Sequence, residues 1–179
     1  MKLFKTFFAV AAAGAISLSA ADLSKFIDAK RWEKAECTIV TEGNALVVNM
    51  PVDHKAGQKD YPIGWPRIYL RKFFPQETDW SKAKAISFDL KLEFTGKSEK
   101  YPINFHFFWN VPNAKKMASS ALVITPELKN NTVNKVVIPL TKAGDTSKMG
   151  GIGFNINESQ YKHGDNFKFT VSNFKLVEK

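Results

Sequence analysis

Three short stretches of this sequence alternate apolar side chains with side chains of another kind. They cover residues 66–71, 103–110 and 151–157. Because successive side chains of a β-strand point to opposite faces, each stretch predicts a strand with one face for a core. The opposite faces carry Arg, Tyr, His, Phe, Asn and Gly, whereas an ordinary solvated sheet would favour Lys, Glu and Thr. The pattern therefore indicates a β-sheet protein whose outer surface has an unusual chemistry.

The beginning of the chain predicts a secretory signal peptide. Residues 1–5 are basic, residues 6–16 are apolar, and residues 17–21 are mostly small, an order typical of such peptides. The apolar run is shorter than the roughly 20 residues that cross a bilayer, so no transmembrane segment is expected. We therefore expect a signal peptide over residues 1–21, an exported protein, and one domain over residues 22–179.

The size, cysteine content and charge of the chain limit the kinds of domain and of ligand that are expected. Removal of residues 1–21 would leave 158 of the 179 residues, which suffice for one domain with its own core. Cys37 is the only cysteine, so no intrachain disulfide is possible, and its alternating surroundings favour a small buried side chain.

Loss of the two lysines in residues 1–21 lowers the formal net charge from +9 to +7. Such a charge suits acidic polysaccharides, lipid headgroups or an anionic wall, or simply a Lys-rich surface; no motif indicates nucleic acid.

The remaining sequence predicts an all-β domain. A short helix is expected within residues 23–36, because Leu23, Phe26 and Ile27 have helical spacing. Nine strands are expected at 36–42, 45–50, 66–73, 84–94, 102–110, 119–125, 133–140, 149–157 and 166–178. A change of phase at Ser172 predicts a β-bulge in the last strand. Short strands at this spacing favour a two-sheet antiparallel β-sandwich, with jelly-roll connections at this length.

The order and local pattern of these segments resemble the carbohydrate-binding modules of the jelly-roll type, also called the galactose-binding-like fold. The runs that carry the resemblance are DWSKAKAISFDL at 79–90, VVIPL at 136–140, IGFNI at 152–156 and FTVSNFKL at 169–176. The resemblance implies one sheet with strands 66–73, 102–110, 119–125 and 149–157, and a second with strands 36–42, 45–50, 84–94, 133–140 and 166–178. It also implies that the first sheet is curved, that its concave outer face holds glycan, and that a structural calcium can lie near the chain ends. The sequence shows no compact acidic cluster for that calcium.

The outward side chains of the first sheet form the candidate ligand site. A sugar needs an aromatic platform for its C–H face and polar groups that bind neighbouring hydroxyls. The predicted ligand-binding residues are Arg67, Tyr69, Arg71, Asn104, His106, Phe108, Asn155 and Trp65. Tyr69 and Phe108 would be the platforms, and arginine pairing with carboxylate or sulfate would favour acidic glycans. Gly151 and Gly153 would lower the floor of the groove.

Three functions remain open at this stage. The leading hypothesis is a secreted, non-catalytic carbohydrate-binding domain located in the periplasm, at the cell surface or outside the cell. Because aromatic residues and arginine also dominate protein interfaces, the same face suits an envelope protein-interaction or assembly domain. A jelly-roll polysaccharide lyase would use Tyr69 or His106 as base and Arg67 to neutralise a uronate. No hydrolase, zinc-protease or phosphate-loop motif is present.

Overall fold

The protein is described here by a computed structural model. The described residues are 23–54, 66–71, 79–109, 119–125, 127–157 and 160–179. Within them the chain forms ten strands: β1 Glu33–Ala35, β2 Thr38–Glu42, β3 Ala45–Pro51, β4 Arg67–Leu70, β5 Ala83–Thr95, β6 Asn104–Trp109, β7 Ser119–Ile124, β8 Thr132–Pro139, β9 Met149–Asn155 and β10 Asn166–Glu178. Short 3₁₀ turns occupy Ser24–Ile27, Ala29–Arg31, Leu140–Lys142 and Thr146–Lys148. No helix in these ranges has the length and apolar character needed to cross a membrane.

The strands form a sandwich of two antiparallel sheets. The first sheet has the order β1-β4-β9-β6-β7, and the second has the order β2-β3-β10-β5-β8. All nine predicted strands are present, and each lies in the sheet that the resemblance to carbohydrate-binding modules implies for it. The β-sandwich prediction is therefore confirmed, including the bulge in β10, where the register with β5 shifts between Ser172 and Lys175.

The prediction of a helix within residues 23–36 is wrong. Two separate 3₁₀ turns are followed by β1, which pairs with β4 through Lys34 opposite Ile68. The apolar spacing covers a single turn, because Phe26 is fully buried while Asp28 accepts a hydrogen bond from the Lys30 amide at 3.0 Å and starts a new turn. The Trp32 indole N–H donates to the Phe26 carbonyl at 2.9 Å and folds the segment back on itself. This segment therefore adds a fifth strand to the first sheet.

The core lies between the two sheets and is rich in aromatic rings. Phe88 of the second sheet stacks on Phe105 of the first, with ring centroids 5.5 Å apart. Phe154 meets both rings edge to face, at 5.5 Å and 5.1 Å. Trp80 is buried, as a core residue should be. Such rings contribute large apolar areas and favourable edge-to-face contacts, so the inward halves of the alternating strands account for the core.

The outer face of the second sheet is an ordinary solvated surface. Glu93 of β5 forms ion pairs with Lys91 at 3.5 Å and with Lys168 of β10 at 3.4 Å. The partners in these pairs are largely accessible to solvent, and exposed pairs of this kind contribute little to stability. The two outer faces therefore differ in chemistry, and the unusual one belongs to the first sheet.

Candidate functional site

The register of the first sheet brings the predicted ligand residues onto one face. Tyr69 of β4 lies opposite Gly153 of β9, and Gly153 lies opposite His106 of β6. The next row joins Arg67, Asn155 and Asn104 in the same way. We call this surface the aromatic face; its residues are Arg67, Tyr69, Arg71, Asn104, His106, Phe108 and Asn155. The eighth predicted residue, Trp65, lies outside the described residues.

Three rings pack together at the centre of the aromatic face. Tyr69 meets His106 edge to face at 5.5 Å and Phe108 edge to face at 5.0 Å. His106 and Phe108, two residues apart on β6, stack with their planes 11° apart and centroids 5.8 Å apart. Because each ring touches the other two, the cluster presents Tyr69 in a fixed orientation.

Two glycines of β9 make room for this arrangement. A Cβ atom on Gly153 would come within 3.0 Å of the Tyr69 ring and 2.8 Å from the Ile68 carbonyl oxygen. A Cβ on Gly151 would lie 2.5 Å from the Leu70 carbonyl oxygen and 2.9 Å from Arg71 Cγ. The sequence predicts an open groove floor above these glycines. The structure instead places the side chains of Tyr69 and Arg71 there.

Arg71 is held by an acidic side chain that the sequence interpretation missed. Its Nε lies 3.3 Å from Glu33 Oε1, and its Nη2 lies 2.7 Å from Glu33 Oε2. The guanidinium carbon also lies 4.8 Å from the Tyr69 ring centroid and 5.4 Å from that of Phe108, within the range of cation–π attraction. Glu33 therefore compensates the charge of Arg71 and fixes its plane against the rings. A three-residue strand is too short for its alternation to reveal Glu33 in advance.

The half-buried His106 and the buried Asn155 form a polar pair beside the rings. His106 Nε2 lies 2.5 Å from Asn155 Oδ1, and Asn155 is fully buried although it lies on the outer face of the sheet. Within the described part of the chain, Asn155 Nδ2 has no hydrogen-bond partner. Burial lowers the pKa of His106, and the hydrogen bond to Asn155 only partly opposes this effect. The imidazole is therefore neutral near pH 7, with Nε2 as the donor and Nδ1 left as an acceptor.

Exposure divides the aromatic face into contact residues and supporting residues. Asn104 is 7% exposed and Phe108 is 8% exposed, so neither offers much surface to a ligand. Arg67, Tyr69, Arg71 and His106 are half-buried. Burial raises the pKa of the Tyr69 phenol, while the charges of Arg67 and Arg71 act in the opposite direction. Tyr69 therefore stays protonated near neutral pH and can donate a hydrogen bond.

The described residues do not fit the calcium that the resemblance allows. No three His, Cys, Asp or Glu side chains within those ranges converge as metal ligands would. Calcium prefers six to eight oxygen ligands, and the described residues include no acidic cluster that would supply them.

Comparison with known proteins shows that several solved structures have a similar fold. No protein-family model matches the sequence, and no curated protein matches it. Among solved structures, the family 11 carbohydrate-binding module of Clostridium thermocellum, in complex with a β-1,3-1,4-mixed-linked tetrasaccharide, is similar with a TM-score of 0.57 and 18% identity; the match covers 83% of this chain and 89% of that one. The family 30 module of a cellulosomal cellulase of Clostridium thermocellum gives 0.53 and 15%, covering 83% and 87%.

An agarase is similar at a TM-score of 0.58 and 13% identity, over 84% of this chain. The chain spans only 24% of the agarase's length, so the likeness concerns one part of that enzyme. At these identities the matches bear on architecture, and function belongs to sites rather than to folds. The chain therefore resembles carbohydrate-binding modules and has their β-sandwich fold.

Proposed function

We propose that this protein is an exported, non-catalytic carbohydrate-binding domain that holds a glycan on the aromatic face. The observation that carries the proposal is the half-buried Tyr69 ring, fixed by His106 and Phe108 and flanked along β4 by Arg67 and Arg71. An oriented ring with polar groups on either side suits a sugar, which has an apolar C–H face and hydroxyls around its rim. The fold shared with carbohydrate-binding modules supports the same conclusion.

Each contact residue has a distinct part in the proposal. Tyr69 provides the platform and a phenol donor, and Arg67 donates to hydroxyls at one end of the strand. His106 accepts a hydrogen bond from a sugar hydroxyl at Nδ1, because its Nε2 is engaged with Asn155. Phe108 supports the ring cluster from beneath. The site is therefore smaller than the sequence predicts, with three residues that would touch the sugar directly.

The lyase alternative fits the geometry less well. A lyase needs a base that removes a proton near neutral pH. Burial raises the pKa of Tyr69, which keeps the phenol protonated. His106 keeps only Nδ1 free, because its Nε2 is engaged with Asn155, and burial lowers the pKa of the imidazole, which makes it a weaker base. These two facts favour binding over proton abstraction at this face.

Replacing Arg67 or Tyr69 by Ala should weaken glycan binding by at least about tenfold, since stacking and polar contacts of this kind are each worth about 1–3 kcal/mol. Affinity electrophoresis in gels containing mixed-linkage β-glucan or agarose would measure the loss. Lys135, exposed on the second sheet, supplies a control: Lys135→Ala should migrate like the wild type. Equal retardation of all variants would remove the site assignment. Retention of a defined protein partner without any glycan would instead support the assembly hypothesis.

The Arg71–Glu33 ion pair affects whether the aromatic face would bind neutral or acidic glycans. Because Glu33 neutralises Arg71, we expect the aromatic face to accept neutral glycans. Glu33→Gln would uncover the guanidinium and should strengthen binding of polygalacturonate relative to β-glucan by roughly threefold to tenfold. Glu93→Gln changes the net charge equally on the second sheet, so it should leave the ratio unchanged. The same ratio in both variants would mean that Glu33 does not control selectivity.

A further inference from the structure

A concave surface lies at one end of the sandwich, where the loop after β5 meets the loop before β10. It is a cavity of about 440 Å³, and its polar lining consists of Lys97, Lys100, Lys162, Ser98, Gln160 and Glu99. The lining thus includes three lysines and a single acidic residue. Its size lies in the range of small-molecule sites.

A neighbouring cavity of about 340 Å³ extends this surface. The two cavities share Lys100 and Pro102, and the second adds Tyr101 and Leu128. The Tyr101 ring is half-buried and packs against Phe94 at 4.6 Å. We call the two cavities together the lysine groove: it has a cationic end and an aromatic wall, and its far side carries one further carboxylate, Glu127.

The cationic end is held in shape by a buried carboxylate. Asp165, 1% exposed, accepts the Lys97 amide at 2.7 Å on Oδ1 and the Lys162 amide at 3.0 Å on Oδ2. The Ser98 hydroxyl also donates to Oδ2. The Lys162 ammonium donates to the Lys97 carbonyl at 3.4 Å. The loops that carry the lysines are therefore fixed to each other before any ligand binds, which reduces the entropy lost on binding.

We propose that the lysine groove binds an anionic saccharide, meaning a sugar unit that carries a carboxylate or sulfate group. Lysine ammonium groups bind such oxygens as point charges, and Tyr101 with Pro102 offers an apolar wall for the C–H face of the sugar. The groove is separate from the aromatic face, where Glu33 neutralises Arg71. The protein would thus recognise neutral and anionic sugars at different places.

The test uses the purified protein and two charge-matched triple variants. Lys97, Lys100 and Lys162 are changed to Gln in one, and Lys84, Lys135 and Lys175, all exposed on the second sheet, are changed to Gln in the other. Affinity for polygalacturonate and for chondroitin sulfate is measured at several salt concentrations, with β-glucan as the neutral probe. We expect the groove variant to bind at least one anionic polymer about tenfold or more weakly and the control variant within about threefold of wild type.

Polygalacturonate carries carboxylates only, whereas chondroitin sulfate carries both carboxylates and sulfates, so binding of chondroitin sulfate alone would show that sulfate is needed; binding should weaken as salt is added. Equal loss in both triple variants would show a net-charge effect and overturn the proposal, as would failure of the wild type to bind either anionic polymer. Tyr101→Ala provides a second test, because it should weaken binding without changing charge. Unchanged β-glucan binding in the groove variant separates this site from the aromatic face, so each proposal can fail alone.

Discussion

Asp165→Ala should lower the free energy of unfolding by about 3 kcal/mol or more. The substitution removes three hydrogen bonds, from the Lys97 amide, the Lys162 amide and the Ser98 hydroxyl, to a buried carboxylate, and a hydrogen bond to a charged group contributes about 1.5–3 kcal/mol. The Ala variant would also loosen the two loops that carry the lysine groove. Urea unfolding followed by fluorescence measures the change.

The same carboxylate predicts a dependence of stability on pH. Burial by itself would raise the pKa of Asp165, but the hydrogen bonds from Ser98, Lys97 and Lys162 together lower it. The folded pKa therefore lies below the unfolded value of about 3.9, so the unfolded chain binds the proton more readily. This contribution to stability is complete above the unfolded pKa and is lost as pH falls through the folded pKa.

Two variants distinguish the specific role of the Asp165 carboxylate from the effect of removing any carboxylate. Asp165→Asn keeps the shape but does not titrate, so the difference in stability between wild type and this variant should shrink as pH falls below about 4. Asp145→Ala removes an exposed carboxylate that accepts a hydrogen bond from the Ser147 amide at 3.1 Å, and it should lower the free energy of unfolding much less than Asp165→Ala does. An Asp165→Ala loss no larger than that of Asp145→Ala would contradict the structural role assigned to Asp165.

The strands of this protein could be predicted because the alternation of apolar and polar side chains is visible within each strand by itself. Phe88 and Leu90 of β5, and Phe105 and Phe107 of β6, are two residues apart and all point to the core. A period of two is read within one strand and does not depend on its neighbours. For that reason the strands and their inward and outward sides could be predicted from the alternation, whereas the division into two sheets is implied by the resemblance to jelly-roll modules.

The details of the site depend on contacts between segments that are far apart in the sequence. Such contacts cannot be predicted from the local pattern of residues. Tyr69 lies opposite Gly153 because of the register between β4 and β9. The sequence predicts that Gly153 lowers the floor of the groove, but the space above it is occupied by the Tyr69 ring. Glu33 reaches Arg71 only because a three-residue strand pairs with β4. Asp165 is part of a turn by sequence, and its burial depends on a loop more than sixty residues earlier.

Gly153→Ala should reduce both stability and glycan binding. The new methyl group would come within 3.0 Å of the Tyr69 ring and 2.8 Å from the Ile68 carbonyl oxygen. Rotation of Tyr69 relieves the first contact but not the second, because the carbonyl belongs to the backbone of β4. Overpacking of this kind costs about 1–3 kcal/mol, and the displaced ring would no longer offer a platform. Thermal unfolding and affinity electrophoresis with β-glucan measure the two effects.

Gly43→Ala is the matched control, because it changes the same residue type for a different physical reason. Its Cβ would meet no atom within 4 Å, but its φ of +56° lies in the left-handed region, where an L side chain costs about 1–2 kcal/mol. We therefore expect Gly43→Ala to lose stability and keep its binding, whereas Gly153→Ala loses both. Adding Tyr69→Ala to Gly153→Ala should restore part of the stability and none of the binding. If Gly153→Ala binds β-glucan as tightly as wild type, then either the Tyr69 ring does not lie over Gly153 or it is not the platform for the sugar.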